Sequence, residues 1–300
     1  MADLHEIFGL EKMDDAEAQY NLAKRRGPGL ADVIAGWEAR SAKQRQTADV
    51  QLDVPYGDGD RERGDFFFGG NSQGPLLIYI HGGYWQRGDK QMYGFISEAF
   101  VRQGVSVMVI NYDLTPMVSM TEIPAQIRRF VVWAYRKAGA QLRKANAKHG
   151  FDPNALYMMG HSAGGHLTAL MMATHWSELD STLPNDLIRG AVSISGVFEL
   201  EPLLTTSIND VPAMSQEEAR ALSPCFLPPA TYAPQLVVVG GGETEEFIRQ
   251  SDDHAARWRS EQRRLMRYTV PNADHFDVLE PLTDECSPLF EHCMQLLDTN

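Results

Sequence analysis

A serine flanked by glycines stands where an apolar run of the chain meets a helical pattern. Gly160-His161-Ser162-Ala163-Gly164 has the spacing G-x-S-x-G, follows the apolar residues 155–159 and precedes helix-forming residues 167–172. In a sharp strand-to-helix turn, side chains two positions before and after the serine would clash, which explains both glycines. Such a turn presents a hydroxyl beside the amide groups and positive dipole end of a helix. The pattern predicts Ser162 as the nucleophile of an acyl-transfer reaction.

A second glycine-rich segment could stabilise the negative charge that forms when a serine attacks a carbonyl. His81-Gly82-Gly83-Tyr84-Trp85 directly follows the apolar residues 76–80. Glycine allows the main chain to approach a substrate closely, and backbone amides in such a loop form an oxyanion hole together with the residue after the nucleophile. The predicted donors are the backbone amides of Gly83, Tyr84, Gly82 and Ala163.

The general base should follow the last strand, because the order along the chain in this kind of site is serine, acid, histidine. Among nine histidines, His275 in Pro271-Asn272-Ala273-Asp274-His275-Phe276 has this position, after the apolar run that ends at Val270. His275 is therefore the predicted base. The other assignments are loop bracing for His81, core packing for His166, and surface helix positions for His149, His175, His254 and His292.

The acid that orients this histidine should follow the preceding strand, at residues 236–239. Three carboxylates follow it, namely Glu243, Glu245 and Glu246. Glu243 comes first, whereas Glu245 and Glu246 fit the first turn of the next helix, where acidic side chains are favourable. Glu243 is the preferred acid, and Glu245 is the alternative.

Aromatic residues adjoin these catalytic segments. Tyr84, Trp85, Phe198 and Phe276 are predicted to line a substrate pocket, with ordinary core packing as the alternative for each.

The elements that would position these residues alternate between apolar runs and amphipathic stretches. Strands that are apolar throughout are typical of a parallel sheet covered on both faces. The pattern predicts one α/β domain over residues 1–300, with a doubly wound, mostly parallel sheet of the α/β-hydrolase type. The predicted strands are residues 76–80, 105–110, 155–159, 190–194, 236–239 and 265–270. The predicted helices are residues 93–101, 122–147, 162–174, 245–259 and 289–297.

Two segments fall outside this alternation. Residues 1–50 are polar and helix-compatible, with apolar residues at helical spacing over 30–46, and are predicted to lie over the core near the cleft. Residues 197–234 are proline-rich and have no strand pattern. A loop of that length inside a domain is usually functional, so a small cap-like insertion is predicted there.

Composition restricts partners and compartment. The net charge of −13 argues against nucleic acid and against an anionic membrane surface. Residues 1–15 lack a signal-peptide pattern, and no apolar stretch approaches the roughly 20 residues that span a bilayer. Cys225, Cys286 and Cys293 have no metal-ligand spacing. We expect a cytoplasmic protein with a small-molecule substrate and without metal or cofactor; whether it forms a homodimer is left open.

Several longer motifs go beyond the nucleophile elbow. They are HGGYW at 81–85, residues 111–116, GHSAGGH at 160–166, residues 195–203, ETEEFIRQS at 243–251 and DHFDVLE at 274–280. Together they resemble one family, the serine-type kynurenine formamidases or arylformamidases. The likeness runs from about residue 51 to the C-terminus, and the N-terminal sixty residues match the eukaryotic enzymes poorly.

The resemblance implies a triad of Ser162, Glu243 and His275, with Glu where the family more often has Asp. It implies hydrolysis of an amide or ester bond between an acyl group and an aromatic partner, with N-formylkynurenine as the leading substrate. A carboxylesterase acting on small esters is the alternative. A non-catalytic binding protein of this fold is disfavoured because such proteins usually lose a triad member.

Overall fold

The computed structural model describes residues 15–298, so most of the segment assessed for a signal peptide lies outside the described residues. Within that range one eight-stranded sheet has the order β1-β2-β4-β3-β5-β6-β7-β8. β1 and β2 pair antiparallel at one edge, and β3 to β8 are parallel. The strands are β1 Val50–Pro55, β2 Arg63–Phe67, β3 Leu76–Ile80, β4 Ser106–Ile110, β5 Leu156–His161, β6 Gly190–Ile194, β7 Gln235–Gly240 and β8 Leu265–Val270.

Helices cover both faces of this sheet. The α-helices are α1 Asp15–Tyr20, α2 Leu22–Arg26, α3 Gly29–Thr47, α4 Ser97–Arg102, α5 Glu122–Trp133, α6 Gly139–Ala145, α7 Ala163–Met172, α8 Trp176–Leu179, α9 Gln216–Ala221, α10 Glu245–Trp258 and α11 Pro288–Leu297. A π-helical turn, Ala134–Ala138, joins α5 to α6 within the stretch predicted as one long helix. Short 3-10 turns precede α4, so that predicted helix begins later than expected.

The apolar strands are buried because each supplies side chains to two cores. Along β3, Leu76, Ile78 and Ile80 pack into the core on one face, and Leu77 and Tyr79 pack into the core on the other. This alternation follows from the two-residue period of a strand. The predicted doubly wound sheet is confirmed, with all six predicted strands present.

The antiparallel edge was not predicted. β1 begins at the last residue of the segment interpreted as helix-compatible, and its burial alternates weakly because it forms the edge of the sheet. β2 contains Gly64 and Asp65, residue types that are depleted in strands. Pairing of β2 with β4 supplies the stabilisation that local preference does not.

The two irregular segments contact each other, through Ser207 and Glu17. Helices α1 to α3 cross the carboxyl ends of the strands, and α3 spans slightly more than the predicted residues 30–46. Residues 197–234 contain α9 and three 3-10 turns, with no strand. Among residues 15–298, no helix is both long enough and apolar enough to cross a membrane.

Candidate active site

Ser162 occupies the sharp turn between β5 and α7. Its backbone φ is +57°, which is unfavourable for a residue with a side chain and holds it outside the helix. Side chains at Gly160 and Gly164 would collide with backbone atoms, as the spacing predicts. The amide of Ser162 donates to the carbonyl of Ile194 at 2.8 Å and so ties this turn to β6. The fold therefore maintains a strained serine at the carboxyl edge of the sheet.

His275 and Glu243 form a buried hydrogen-bonded pair beside this turn. Nδ1 of His275 donates to Oε2 of Glu243 at 2.6 Å. The other carboxylate oxygen, Oε1, accepts from the amide of Gly240 at 2.8 Å. The Glu243 side chain is fully buried, whereas Glu245 is exposed as the first residue of α10. Of the two carboxylates considered, Glu243 is thus the one in contact with the histidine.

Ser195 is a further member of this network that sequence reasoning did not single out for a role. It follows β6 directly, is fully buried with a φ of +48°, and its hydroxyl donates to Oε1 of Glu243. With the Gly240 amide, it fixes the carboxylate so that Oε2 faces His275. The sequence feature that could have indicated this role is a serine directly after β6, the strand that neighbours β7, which Glu243 follows.

His161 supports the histidine loop from beneath. Its Nε2 donates to the carbonyl of His275 at 2.8 Å, and the two rings lie 4.6 Å apart. Burial, followed by the adjacent His275, lowers the pKa of His161 well below its usual range. His161 is therefore neutral and supports the histidine loop through this hydrogen bond.

The glycine-rich loop lies against the nucleophile. A side chain at Gly82 would lie 2.9 Å from Cβ of Ser162 and 2.9 Å from the carbonyl oxygen of His161. Ala163 is the first residue of α7, where amides lack intrahelical acceptors. Tyr84 has a φ of +50°, so the chain turns sharply after the glycines. These backbones meet at the place expected for an oxyanion hole.

His81 holds this loop in place, as predicted. Nδ1 of His81 donates to the carbonyl of Gly82 at 2.8 Å, and its ring stacks between those of Tyr93 and Tyr112. Burial lowers the pKa of His81 to about 4. His81 is consequently a neutral brace.

We expect Gly82→Ala to reduce kcat by about 10²-fold, the typical effect of disturbing one oxyanion donor. The added methyl group forces the loop away from Ser162. Gly36→Ala is the matched control because Gly36 is exposed on α3 and has open space around it. Steady-state kinetics on a small aryl ester measures the effect. Unchanged kcat in Gly82→Ala would contradict this placement of the loop.

A cavity of about 260 Å³ opens at the nucleophile and is mainly apolar. Ser162 and His275 line one side of it, and the glycine-rich loop lines another. The remaining wall comes largely from helices α2 and α3. The residues supplied by these helices are Leu22, Ala23, Leu30, Ile34 and Trp37.

Two of the four predicted pocket aromatics line this cavity and two do not. Tyr84 and Phe276 lie in its wall. Trp85 is fully buried on the opposite side of the loop, where its Nε1 donates to Nδ1 of His166 at 3.2 Å. Phe198 is also fully buried and stacks on His254, with ring centroids 4.1 Å apart. The pocket assignment of Trp85 and Phe198 was therefore wrong, and both are core residues.

Other expectations were also corrected. His254 and His149 are buried and not on the surface, because the helix and loop that carry them pack inward. The insertion at residues 197–234 was predicted to be cap-like, but none of its residues lines the cavity. Residues of the N-terminal helices α2 and α3 form that wall instead. His166 is a packing residue, as predicted, and its Nε2 donates to the carbonyl of Leu222.

The N-terminal helices are held over the site by polar contacts to the segments around Tyr84, Glu243 and His275. Arg26 pairs with Asp274, the neighbour of His275, and with Asp277 at 2.8 Å. The Tyr20 hydroxyl donates to Oε2 of Glu246 at 2.6 Å, and the Tyr84 hydroxyl donates to the Tyr20 carbonyl at 2.7 Å. These contacts fix one wall of the cavity to the elements that carry the catalytic residues.

Comparison with known proteins finds a matching family model and similar kynurenine formamidases. The BD-FAE family model matches residues 68–242. A kynurenine formamidase from Salmo salar is 34% identical over 284 residues, covering 90% of this chain and 92% of that protein. A kynurenine formamidase from Danio rerio is 30% identical, covering 91% of this chain and 92% of that protein. These matches cover 90% and 91% of this chain, which is more than the residues after position 50 make up. The likeness to these fish enzymes therefore includes part of the N-terminal segment.

Solved structures agree with this fold. The structure of a putative thioesterase from Silicibacter sp. TM1040 has a TM-score of 0.74 and 30% identity, and the match covers 93% of this chain and 98% of that chain. Esterase B from Lactobacillus rhamnosis has a TM-score of 0.65 at 20% identity, covers 96% of this chain and 95% of that chain, and supports the fold alone.

Proposed function

This chain belongs to the kynurenine formamidase family of α/β-hydrolases, and from that premise we propose that it hydrolyses the formamide of an N-formylated arylamine. N-formylkynurenine is the first substrate to test. The observation that carries the proposal is the buried Glu243–His275 pair, whose histidine lines the same cavity as the strained Ser162. Hydrolase activity of the arylformamidase type follows from the family; the residues that perform it and the substrate are our proposals.

In the proposed mechanism, His275 removes the hydroxyl proton as Ser162 attacks the formyl carbon. Glu243 keeps the proton of His275 on Nδ1, which leaves Nε2 free to act as the base. The carbonyl oxygen becomes an oxyanion that accepts hydrogen bonds from the amide of Ala163 and from the glycine-rich loop. The protonated His275 then donates its proton to the leaving nitrogen, and the C–N bond breaks.

The second half of the reaction repeats these roles with water. His275 takes a proton from a water molecule, which attacks the formyl-serine ester. Collapse of the second oxyanion returns the proton to Ser162 and releases formate. These steps use only side chains and backbone amides, and we propose no metal or organic cofactor.

The cavity favours a small aromatic substrate. Its volume of about 260 Å³ lies just below the usual range of ligand pockets, roughly 300–1,000 Å³. The rings of Trp37, Tyr84 and Phe276 border it, and aromatic walls contact an aryl group over a large area. We therefore propose a small molecule as the partner at this site. We also propose a cytoplasmic location, which cell fractionation would test.

An esterase is the second candidate, because solved relatives of this fold include esterases and the same triad cleaves esters. We expect kcat/KM for N-formyl-L-kynurenine to exceed about 10⁴ M⁻¹s⁻¹, within the usual range for a true substrate. A short-chain aryl ester is assayed beside it, and Ser162→Ala is the control. Weak formamide turnover with rapid ester cleavage would replace the formamidase proposal by an esterase.

A further inference from the structure

Arg87 is the one lysine, arginine, aspartate or glutamate among the described residues that line the active-site cavity. It follows the glycine-rich loop, and its amide donates to the carbonyl of Gly83 at 3.1 Å. This bond folds the chain back, so Arg87 adjoins the predicted oxyanion hole. The side chain is exposed and lies at the mouth of an otherwise apolar cavity.

Within residues 15–298, the guanidinium of Arg87 has no carboxylate partner. Arg26, on the adjacent wall, is paired with two aspartates. The positive charge of Arg87 nevertheless reaches into the site: burial raises the pKa of the cavity residue Tyr93, and Arg87 opposes that rise. A cation beside the nucleophile is thus left available to a bound molecule.

We propose that Arg87 binds a carboxylate on the leaving-group side of the substrate and so selects acidic aryl substrates over neutral ones. A guanidinium presents paired N–H donors that match a carboxylate. The chain carries a net charge of −13, and a local cation at the cavity would offset that negative field for a substrate carboxylate. This inference rests on the proposed function in placing the substrate in this cavity.

A merely structural role for Arg87 makes a different prediction. Arginine stems often cover apolar surface while the charged end stays in water, and removal of such a stem would weaken every substrate alike. Binding of a carboxylate would weaken only the substrates that carry one. Matched acidic and neutral substrates separate the two roles.

The test compares Arg87→Ala and Arg87→Lys with the unmodified enzyme on two substrate pairs. One pair is N-formyl-L-kynurenine and its carboxamide; the other is the acetate ester of 3-(2-hydroxyphenyl)propanoate and the corresponding carboxamide. Arg25→Ala is the matched control, because Arg25 is exposed on α2 near the cavity but does not line it. It removes the same charge without removing the proposed contact.

We expect Arg87→Ala to lower kcat/KM for each acidic substrate by about 10- to 100-fold, the usual effect of a charged hydrogen bond, mainly through KM. The ester carboxamide, which is uncharged, should change less than about twofold, and the kynurenine carboxamide, which keeps its ammonium group, should not be weakened. Arg87→Lys should lie between the parent and Arg87→Ala, because lysine keeps the charge without the paired donors. Equal losses on acidic and neutral substrates, or no loss on the acidic ones, would overturn the inference. If only the esters are cleaved, the formamidase proposal fails while the ester pair still decides the role of Arg87.

Discussion

Replacing Ser162 by alanine should lower kcat by about 10⁴- to 10⁶-fold, the range seen when the nucleophile of a serine hydrolase is removed. Without the hydroxyl no acyl-enzyme can form, and the oxyanion hole has no attacking group to support. The remaining rate would come from binding and from polarisation of the carbonyl. Turnover of a small aryl ester measures the change.

The fold should survive this substitution. The amide of Ser162 bonds to the carbonyl of Ile194 whichever side chain is present, and alanine meets the same backbone strain at this turn. Ser251→Ala is a matched control, because Ser251 is buried and its hydroxyl has no hydrogen-bond partner in the described part of the chain. Both variants should melt within a few degrees of the parent in thermal unfolding. A Ser162→Ala protein that keeps its activity and its melting temperature would disprove the assignment.

The parts of the site that sequence predicts are those in which local chain geometry determines position. The sharp turn at Ser162 needs glycine two residues away on both sides, and the sequence has Gly160 and Gly164 at these positions. The placement of His275 follows from strand order, because the carboxyl ends of parallel strands meet at one edge of the sheet. Glu243 and Glu245 are two residues apart, and only the path of the chain after β7 shows which reaches His275.

The cavity wall could not be predicted in the same way, because it depends on contacts distant in sequence. Trp85 and Tyr84 are adjacent and both aromatic, yet only Tyr84 faces the cavity. Both have positive φ angles, and this turn sends Trp85 to His166 in the core. The N-terminal wall likewise depends on the pairing of Arg26 with two residues that lie 248 and 251 positions away.

The position of the insertion also depends on contacts distant in sequence. Its length and prolines predicted a cap-like element; Ser207 of one of its 3-10 turns contacts Glu17 of α1, whereas the turn at residues 224–226 packs against α7 and α10. The N-terminal helices occupy the position above the cavity. A sequence pattern can thus indicate that a segment is irregular without indicating which surface it covers.

The second large effect is expected from Glu243→Gln, which should lower kcat by about 10³- to 10⁴-fold, as amide replacement of the triad acid does in serine proteases. A glutamine keeps the shape but can turn its amide donor toward His275. Nδ1 of His275 would then have to accept, which moves the proton to Nε2 and removes the base. The neutral amide would also fail to stabilise the imidazolium formed during attack.

The buried surroundings of Glu243 add to this effect. The amide of Gly240 and the hydroxyl of Ser195 both donate to Oε1, so a glutamine oxygen is favoured there and its nitrogen is directed at His275. Glu245→Gln is the matched control because Glu245 is exposed at the start of α10, and its kcat should stay within about twofold of the parent, as surface substitutions usually do. Steady-state kinetics on one aryl ester compares the two variants. A larger loss in Glu245→Gln than in Glu243→Gln would assign the acid to Glu245 and would require the loop after β7 to rearrange during catalysis.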